Sequence, residues 1–194
     1  MKYKILLTLC LFVLLLATSG FTQDQNVKHF AKEGLSFDYP AGWSIDETKS
    51  TGQMQYVTLG RDGYAMIMVR SPRALIDTPE KEAHAKQLVQ TGFLDAWAKN
   101  FSDSGATPEK STMTIDVAGA PAECNRLSAS LSGEPGRVDI CWRLMEKRMV
   151  QLTIAGSAKD ITKTTVAWDV IRNSLKIEPS TQQKPSASPS AKPF

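Results

Sequence analysis

The chain has 194 residues, of which 42% are hydrophobic and 22% are charged, and its formal net charge is +3 at pH 7. A chain of this size and composition can bury the core of one ordinary domain. Because no segment concentrates Lys and Arg, the small positive charge favours neither a nucleic-acid partner nor an anionic membrane surface.

Residues 1–22 are typical of a secretory signal peptide. Lys2 and Lys4 form a basic start, and an apolar run over residues 5–17 is followed by small residues that predict cleavage after Ser19 or Thr22. An uncleaved membrane anchor is the alternative, since the uncharged stretch is near the lower length limit for a span. We favour cleavage, which leaves 21 of the 23 basic residues against 20 acidic ones. The expected location is secreted or periplasmic, without stable membrane insertion after cleavage.

The last 16 residues, 179–194, are rich in Pro and Ser and contain one large apolar residue, Phe194. Such a composition cannot bury enough surface to offset the entropy of ordering it, so we predict a disordered tail. Residues 27–178 remain as a single domain.

The first strands of this domain surround an aromatic segment. Residues 27–32 predict a short strand before a Glu33-Gly34 turn, and Leu35, Phe37 and Tyr39 then alternate with polar residues. This period of two predicts a second strand with one buried face and one wet face. Residues 44–53 are polar and predict a loop.

A hairpin is predicted next. Residues 54–60 and 64–70 are strand-like, and the Asp-Gly step at residues 62–63 is a strong hairpin signal. The second strand is apolar on both faces, which predicts a place inside the sheet.

A helix is predicted to begin at Pro79, with Thr78 as its cap and acidic residues in its first turn. Apolar residues recur at spacings of three and four and predict a single stripe about six turns long. The stripe comprises Ala85, Leu88, Val89, Gly92, Phe93, Ala96, Trp97 and Phe101.

Four further strands are predicted over residues 112–117, 122–131, 137–146 and 149–155, joined by short turns as an antiparallel meander. Residues 159–173 predict a second helix, and residues 175–177 close the domain. This order predicts an α+β fold, an antiparallel sheet with two main helices packed on it.

Three segments resemble the PsbP-like superfamily. They are the aromatic strand that runs into Tyr-Pro-x-Gly-Trp at residues 39–43, the small-residue turn at 117–122, and the closing helix and strand at 171–177. The resemblance implies a PsbP-like α/β/α sandwich. Its members include a photosystem II extrinsic protein and a Ran-binding import factor, and they differ widely in partner. No catalytic residue carries over from the resemblance, because a shared fold does not determine function.

The residues give no catalytic, cofactor-binding or metal-binding signature. His29 and His84 lack Cys or carboxylate neighbours at ligand spacing, so we interpret both as solvated surface residues. The acidic residues Glu80, Glu82 and Asp95 are predicted on the solvent side of the first helix. The four tryptophans, Trp43, Trp97, Trp142 and Trp168, are predicted to pack in the core rather than to form a platform for a ligand.

Cys124 and Cys141 are the cysteines left after export, and they flank the turn at residues 132–136. Alternation places both on the face opposite the apolar rows of their strands, so the sulfurs point to one side of the hairpin. Because exported cysteines meet an oxidising compartment, we predict a disulfide rather than two free thiols or a metal site. A register centred on the turn places Cys124 nearest Arg143 or Met145, so the bridge requires a longer loop or a bulge.

These observations favour an exported, non-catalytic binding or accessory domain that needs no cofactor and has a protein or envelope partner. Two alternatives remain open. One is a hydrolase or metal-dependent enzyme with an unrecognised site in the loop at residues 102–109, and the other is a structural cell-envelope protein tethered through its tail.

Overall fold

The computed structural model describes residues 26–178. The expected signal peptide and the expected tail lie outside the described residues.

Two antiparallel sheets form the framework of residues 26–178. The strands, β1 to β10 in chain order, are Val27–Lys32, Leu35–Pro40, Ser44–Asp46, Met54–Gly60, Met66–Pro72, Glu109–Val117, Ala120–Leu131, Glu134–Met145, Arg148–Ser157 and Lys176–Ile177. The small sheet has the order β1-β2-β10, and the seven-stranded sheet has the order β3-β4-β5-β9-β8-β7-β6. The predicted meander therefore forms four of the seven strands of the large sheet, β6 to β9.

The hairpin at residues 62–63 is confirmed, since β4 and β5 pair antiparallel across it. β5 is an interior strand, as its two apolar faces predicted. The prediction of a loop over residues 44–53 is wrong in part, because Ser44–Asp46 is a strand that pairs with β4. This strand is short and polar because it forms the edge of the sheet, where exposed side chains are tolerated.

The helices are α1 (Pro79–Gln87), α2 (Leu94–Asp103) and α3 (Ala158–Ser174), and a π-helical segment, Leu88–Phe93, joins α1 to α2. The predicted start is confirmed, because the Thr78 hydroxyl accepts a hydrogen bond from the Lys81 amide at 3.3 Å. The single apolar stripe is wrong in part: Ala85, Phe93, Trp97 and Phe101 do pack on one core, but the stripe is not continuous. α1 buries no residue and Leu88 is 55% exposed, whereas Leu94 and Phe101 of α2 are buried. A π-helical turn contains more residues than an α-helical turn, so it interrupts the α-helical spacing on which the predicted stripe depends.

Each face of the seven-stranded sheet has its own core. On the face we call the α3 face, side chains from β4, β5 and β9 pack with α3 and with the aromatic strand β2. Phe37 is fully buried there and stacks on Phe30, with ring centroids 4.9 Å apart. The wet face predicted for β2 is wrong at Ser36, which is buried because β2 lies between β1 and β10.

The opposite face, which we call the α2 face, carries the second core. Its apolar members lie on α2, on β7, β8 and β9, and in the loop after α2: Leu94, Phe101, Ala106, Leu127, Val138, Ile140, Trp142, Met149 and Ala155. The alternation of side chains along β7, β8 and β9 assigns successive residues to the two cores.

Candidate functional site

Cys124 and Cys141 form a disulfide between β7 and β8 on the α3 face. The two residues are directly opposed, with Cα atoms 4.0 Å apart, and both are buried. The offset register expected above is wrong, because the turn consists of Ser132 and Gly133 alone and Leu131 pairs with Glu134.

Both turn residues have positive φ angles, 53° at Ser132 and 83° at Gly133. Such angles at both central positions are typical of a two-residue hairpin turn whose twist matches the strands. The Ser-Gly step was the sequence signal for this register, and it needs neither a bulge nor a longer loop.

Neither histidine belongs to a cluster of metal ligands among residues 26–178. His29 on β1 is exposed, and its Nδ1 lies 2.6 Å from Oδ1 of Asp38 on β2. His84 is exposed on α1. Within residues 26–178, no group of three or more His, Cys, Asp or Glu side chains is arranged to hold a metal ion.

Three polar side chains at the start of residues 102–109, the loop considered for an enzyme site, bond to groups of α2. The Ser102 hydroxyl donates to the Ala98 carbonyl at 3.1 Å, and the Ser104 hydroxyl donates to the Asn100 carbonyl at 2.9 Å. Asp103 pairs with Lys99 at 2.7 Å. These groups therefore do not converge on a common point.

The acidic residues of the first helix act locally. Hydrogen bonds from its own backbone amide and from the Thr78 hydroxyl lower the pKa of Glu80. Glu82 lies 3.5 Å from Lys86, one turn along the helix. Asp95 is exposed. These contacts are typical of a solvated helix face.

Two tryptophans are buried as predicted, Trp43 on the α3 face and Trp142 on the α2 face. Trp168 is partly buried against the α3-face core, and Trp97 is partly buried against the α2-face core. Trp97 meets Phe93 edge to face, with ring centroids 6.5 Å apart.

An apolar groove of about 340 Å³ opens on the α2 face beside Trp97. Trp97 and Phe101 of α2 and Leu131 of β7 line this apolar groove. The rest of the lining comes from the hairpin tip and the neighbouring strands: Met66, Glu134, Pro135, Gly136, Arg137, Val138, Ala155, Gly156 and Ser157. A concave, mostly apolar surface with a few polar groups at its edge is typical of a binding site.

A second groove, of about 470 Å³, lies beside Trp43 at the Pro-x-Gly-Trp segment. The guanidinium of Arg61 lies over the ring of Tyr64 at 4.6 Å, and Tyr64 meets Trp43 edge to face. Lys163 also lines this groove, but its ammonium group already bonds the Gly63 carbonyl at 2.9 Å and Asp160 at 3.0 Å.

A row of directly opposed residues crosses five strands on the α2 face, and we call it the polar row. It runs from Tyr56 on β4 through Arg70, Gln151 and Trp142 to Glu123 on β7. Burial is the main cause that lowers the pKa of the Arg70 guanidinium. The sequence did not reveal this row, because its members come from segments far apart in the chain.

Arg148, by contrast, has a structural role at the junction of the two sheets. Its buried guanidinium donates to the Glu33 carbonyl at 3.0 Å, to Oε1 of Gln55 at 2.5 Å and to the Ser71 hydroxyl at 3.0 Å. Gln55 in turn donates to the Lys32 carbonyl at 2.7 Å. These bonds attach the β1–β2 turn to the large sheet.

None of the helices in residues 26–178 has both the length and the apolar composition needed to cross a membrane.

No protein-family model matches the chain, and a comparison with curated proteins finds no match either. Solved structures do match. A Bacteroides thetaiotaomicron protein is similar over 79% of this chain, with 9% identity and a TM-score of 0.52, and this chain spans about half (49%) of that protein.

Two other similar structures have lower TM-scores. The cyanobacterial PsbP of Synechocystis sp. PCC 6803 is 13% identical, with 83% of this chain and 98% of that chain covered and a TM-score of 0.46. LpqN of Mycobacterium tuberculosis, described as involved in cell envelope biogenesis, is 14% identical, with 84% and 97% covered and a TM-score of 0.47. The Bacteroides thetaiotaomicron structure supports the predicted fold class, an α+β arrangement of antiparallel sheets and packed helices. The resemblance to the PsbP-like superfamily stays a prediction.

Proposed function

We propose that this protein is an exported accessory domain that acts by binding an apolar segment of a partner protein and not by catalysis. The observation that carries the proposal is the apolar groove beside Trp97. Aromatic side chains at the centre of an apolar surface and charged residues at its edge are typical of protein interfaces. Here Trp97 and Phe101 supply the aromatic part, and Glu134 and Arg137 supply charge at the hairpin tip.

The groove is built on fixed elements. Its floor is the sheet, with Val138 on β8 and Ala155 on β9, which are directly opposed and buried. Leu131 projects from the hairpin next to the two-residue turn. A site on paired strands loses little conformational entropy on binding, so its apolar area contributes efficiently to affinity.

The export part of the proposal is supported by the signal-like residues 1–22 and by the disulfide pair, since disulfides persist in oxidising compartments. N-terminal sequencing of the secreted protein should begin between Gly20 and Asp24. Protein that keeps Met1 and stays in the membrane fraction would contradict both cleavage and a soluble extracytoplasmic location.

The enzyme alternative has less support. The hydroxyls of Ser102 and Ser104 are bonded to carbonyls of their own helix, and a nucleophile needs instead a base within hydrogen-bonding reach. A likeness of fold does not favour one activity over another. Turnover of a small-molecule substrate that disappeared on replacing His29 or His84 would reverse this preference.

Two matched variants test the proposal, Leu131→Glu at the rim of the groove and Leu88→Glu at an exposed leucine outside it. The tagged mature protein is incubated with the extracytoplasmic fraction of its own source, and bound proteins are quantified by mass spectrometry. We expect one partner to be retained by the wild type and by Leu88→Glu and to be lost with Leu131→Glu. Equal recovery with both variants would refute binding through the groove.

A further inference from the structure

We propose that the polar row on the α2 face is a binding site for an organic carboxylate, formed by Arg70, Gln151 and Trp142. This site lies apart from the apolar groove and does not depend on the proposed function. The three residues occupy directly opposed positions on the adjacent strands β5, β9 and β8. Directly opposed side chains have Cβ atoms about 4.5–5.5 Å apart, so one small ligand can contact all three.

Two side chains of the row, Arg70 and Trp142, hold buried hydrogen-bond donors that have no partner among the described residues. Trp142 is 6% exposed, and within residues 26–178 neither its indole Nε1 nor Nε of Arg70 has a hydrogen-bond partner, although both atoms are buried. The side-chain amide of the buried Gln151 donates only a long bond, 3.4 Å, to the Thr153 hydroxyl. Buried donors are rarely left without a partner in native proteins. Two such donors in one row therefore indicate that a bound ligand supplies the acceptor.

The charge of the row indicates that the acceptor is an anion. No carboxylate of the described residues lies within ion-pairing distance of the Arg70 guanidinium. Instead, the Arg70 guanidinium contacts two rings, 4.2 Å from the centroid of Phe93 and 5.3 Å from that of Tyr56. A partly buried guanidinium favours a counterion, and the planar fork of its N–H groups matches a carboxylate.

The neighbouring charges favour a singly charged ligand. Lys86 of α1 lies 5.0 Å from the centroid of the Trp142 ring, but it is shared by Glu82 at 3.5 Å and Glu123 at 3.9 Å. Arg70 is therefore the one cation of the row without a carboxylate partner among the described residues. A single positive charge suits a carboxylate better than a phosphate dianion. Two members of the row, Tyr56 and Trp142, are aromatic, and the Phe93 ring lies beside Arg70, so the ligand should carry an apolar body.

The helical segment over the row leaves a route for the ligand. Arg70 is only partly buried. α1 contributes no buried side chain and is joined to α2 through π-helical geometry, which is frequent at functional sites. A ligand can thus reach the guanidinium without disturbing the packing of α2 on the sheet.

Titration of the ¹⁵N-labelled mature protein with benzoate tests the proposal. The indole N–H signal of Trp142, identified by its absence in Trp142→Phe, should shift saturably with benzoate. Benzamide, which has the same ring without the charge, and inorganic phosphate should not shift it. An unmoved Trp142 signal with benzoate, an equal response to benzamide, or a preference for phosphate would each overturn the proposal.

A matched pair of arginine variants sharpens the test. Arg70→Gln should weaken benzoate binding about tenfold or more, because a charge-assisted hydrogen bond is lost. Arg61→Gln removes a guanidinium that also stacks on a tyrosine ring, outside the row, and should leave the affinity unchanged. If Arg70→Gln does not fold, Trp142→Phe serves in its place. Calorimetric titration with benzoate, which needs no indole signal, should then show binding weakened severalfold. Unchanged affinity in a folded Arg70→Gln or Trp142→Phe protein would refute the site.

Discussion

The α3 face of the seven-stranded sheet is covered by one uninterrupted 17-residue helix, whereas the α2 face is covered by a helix that changes geometry at Leu88–Phe93. The contrast extends to the side chains beneath. The α3 face carries the disulfide and an apolar core, and α3 is attached there by side-chain bonds. The Thr164 hydroxyl accepts from the Ala65 amide at 2.8 Å, and the Ser174 hydroxyl accepts from the Asp38 amide at 2.8 Å.

The α2 face instead carries the unpaired donors of Arg70 and Trp142 and the groove beside Trp97. An unpaired buried donor lowers stability, and a packed core raises it. The difference indicates that the α3 face supplies most of the stability and that the α2 face is available for binding. Variants on the two faces test this division.

The largest expected effect comes from the core of the α3 face. Phe37→Ala should lower the free energy of unfolding by about 3–5 kcal/mol, because it removes a fully buried ring and leaves a cavity. Phe93→Ala, which shortens a partly buried phenylalanine on the α2 face, should cost clearly less. Urea denaturation of both variants measures the difference, and equal losses would contradict the division between the faces.

Loss of the disulfide should be the next largest effect. The double variant Cys124→Ala, Cys141→Ala opens a loop with a sequence separation of 17, for which chain-entropy estimates give ~3 kcal/mol. Denaturation with and without reductant measures the change. Mass analysis of the non-reduced mature protein should show two hydrogens fewer than the reduced form. Two freely alkylated thiols in protein purified without reductant would show that the pair is not oxidised.

Arg148→Met should have an intermediate effect at the junction of the two sheets. It leaves the buried Gln55 and Ser71 side chains without their partner, and each unsatisfied group costs about 1–3 kcal/mol. Arg73→Met, at a more exposed ion pair with Glu33, should cost about 1 kcal/mol or less. Thermal unfolding compares the stability of the two variants. A larger loss of stability for Arg73→Met would contradict the structural role assigned to Arg148.

The smallest effect concerns the start of α3. Hydrogen bonds from Lys163 and then from Ser157 hold the pKa of Asp160 below its ordinary value of 3.8. A carboxylate whose folded pKa lies below its unfolded pKa stabilises the fold above the unfolded value, and this contribution is lost as the pH falls through the folded value. Asp160→Asn should therefore reduce the acid dependence of stability below about pH 4.

Lys163→Met removes the main cause of the lowered pKa and should reduce the same acid dependence in part. Unfolding free energies measured from pH 6 to pH 2 test both variants. If the free energy of unfolding of Asp160→Asn falls below pH 4 as steeply as that of the wild type, Asp160 does not have this role.

Local patterns in the sequence were sufficient for many elements of the fold. The alternation at residues 35–39 predicted a strand with a buried face, the doubly apolar residues 65–69 predicted an interior strand, and Thr78-Pro79 predicted the start of a helix. Each of these signals depends on residues within a few positions of one another. Side-chain direction repeats every two residues along a strand, and a helix cap bonds an amide within the first turn. Alternation also placed Cys124 and Cys141 on one side of their hairpin.

The tertiary structure decided the rest. The pairing of Cys124 with Cys141 depends on a two-residue turn, and a shift of the turn by one residue changes every cross-strand pair. Arg70 and Trp142 become neighbours of Gln151 only because β9 inserts between β5 and β8. Periodicity reports which face of a strand is buried but not which distant strand lies beside it. The candidate sites on the α2 face are made of such distant pairs, and for that physical reason the sequence alone did not reveal them.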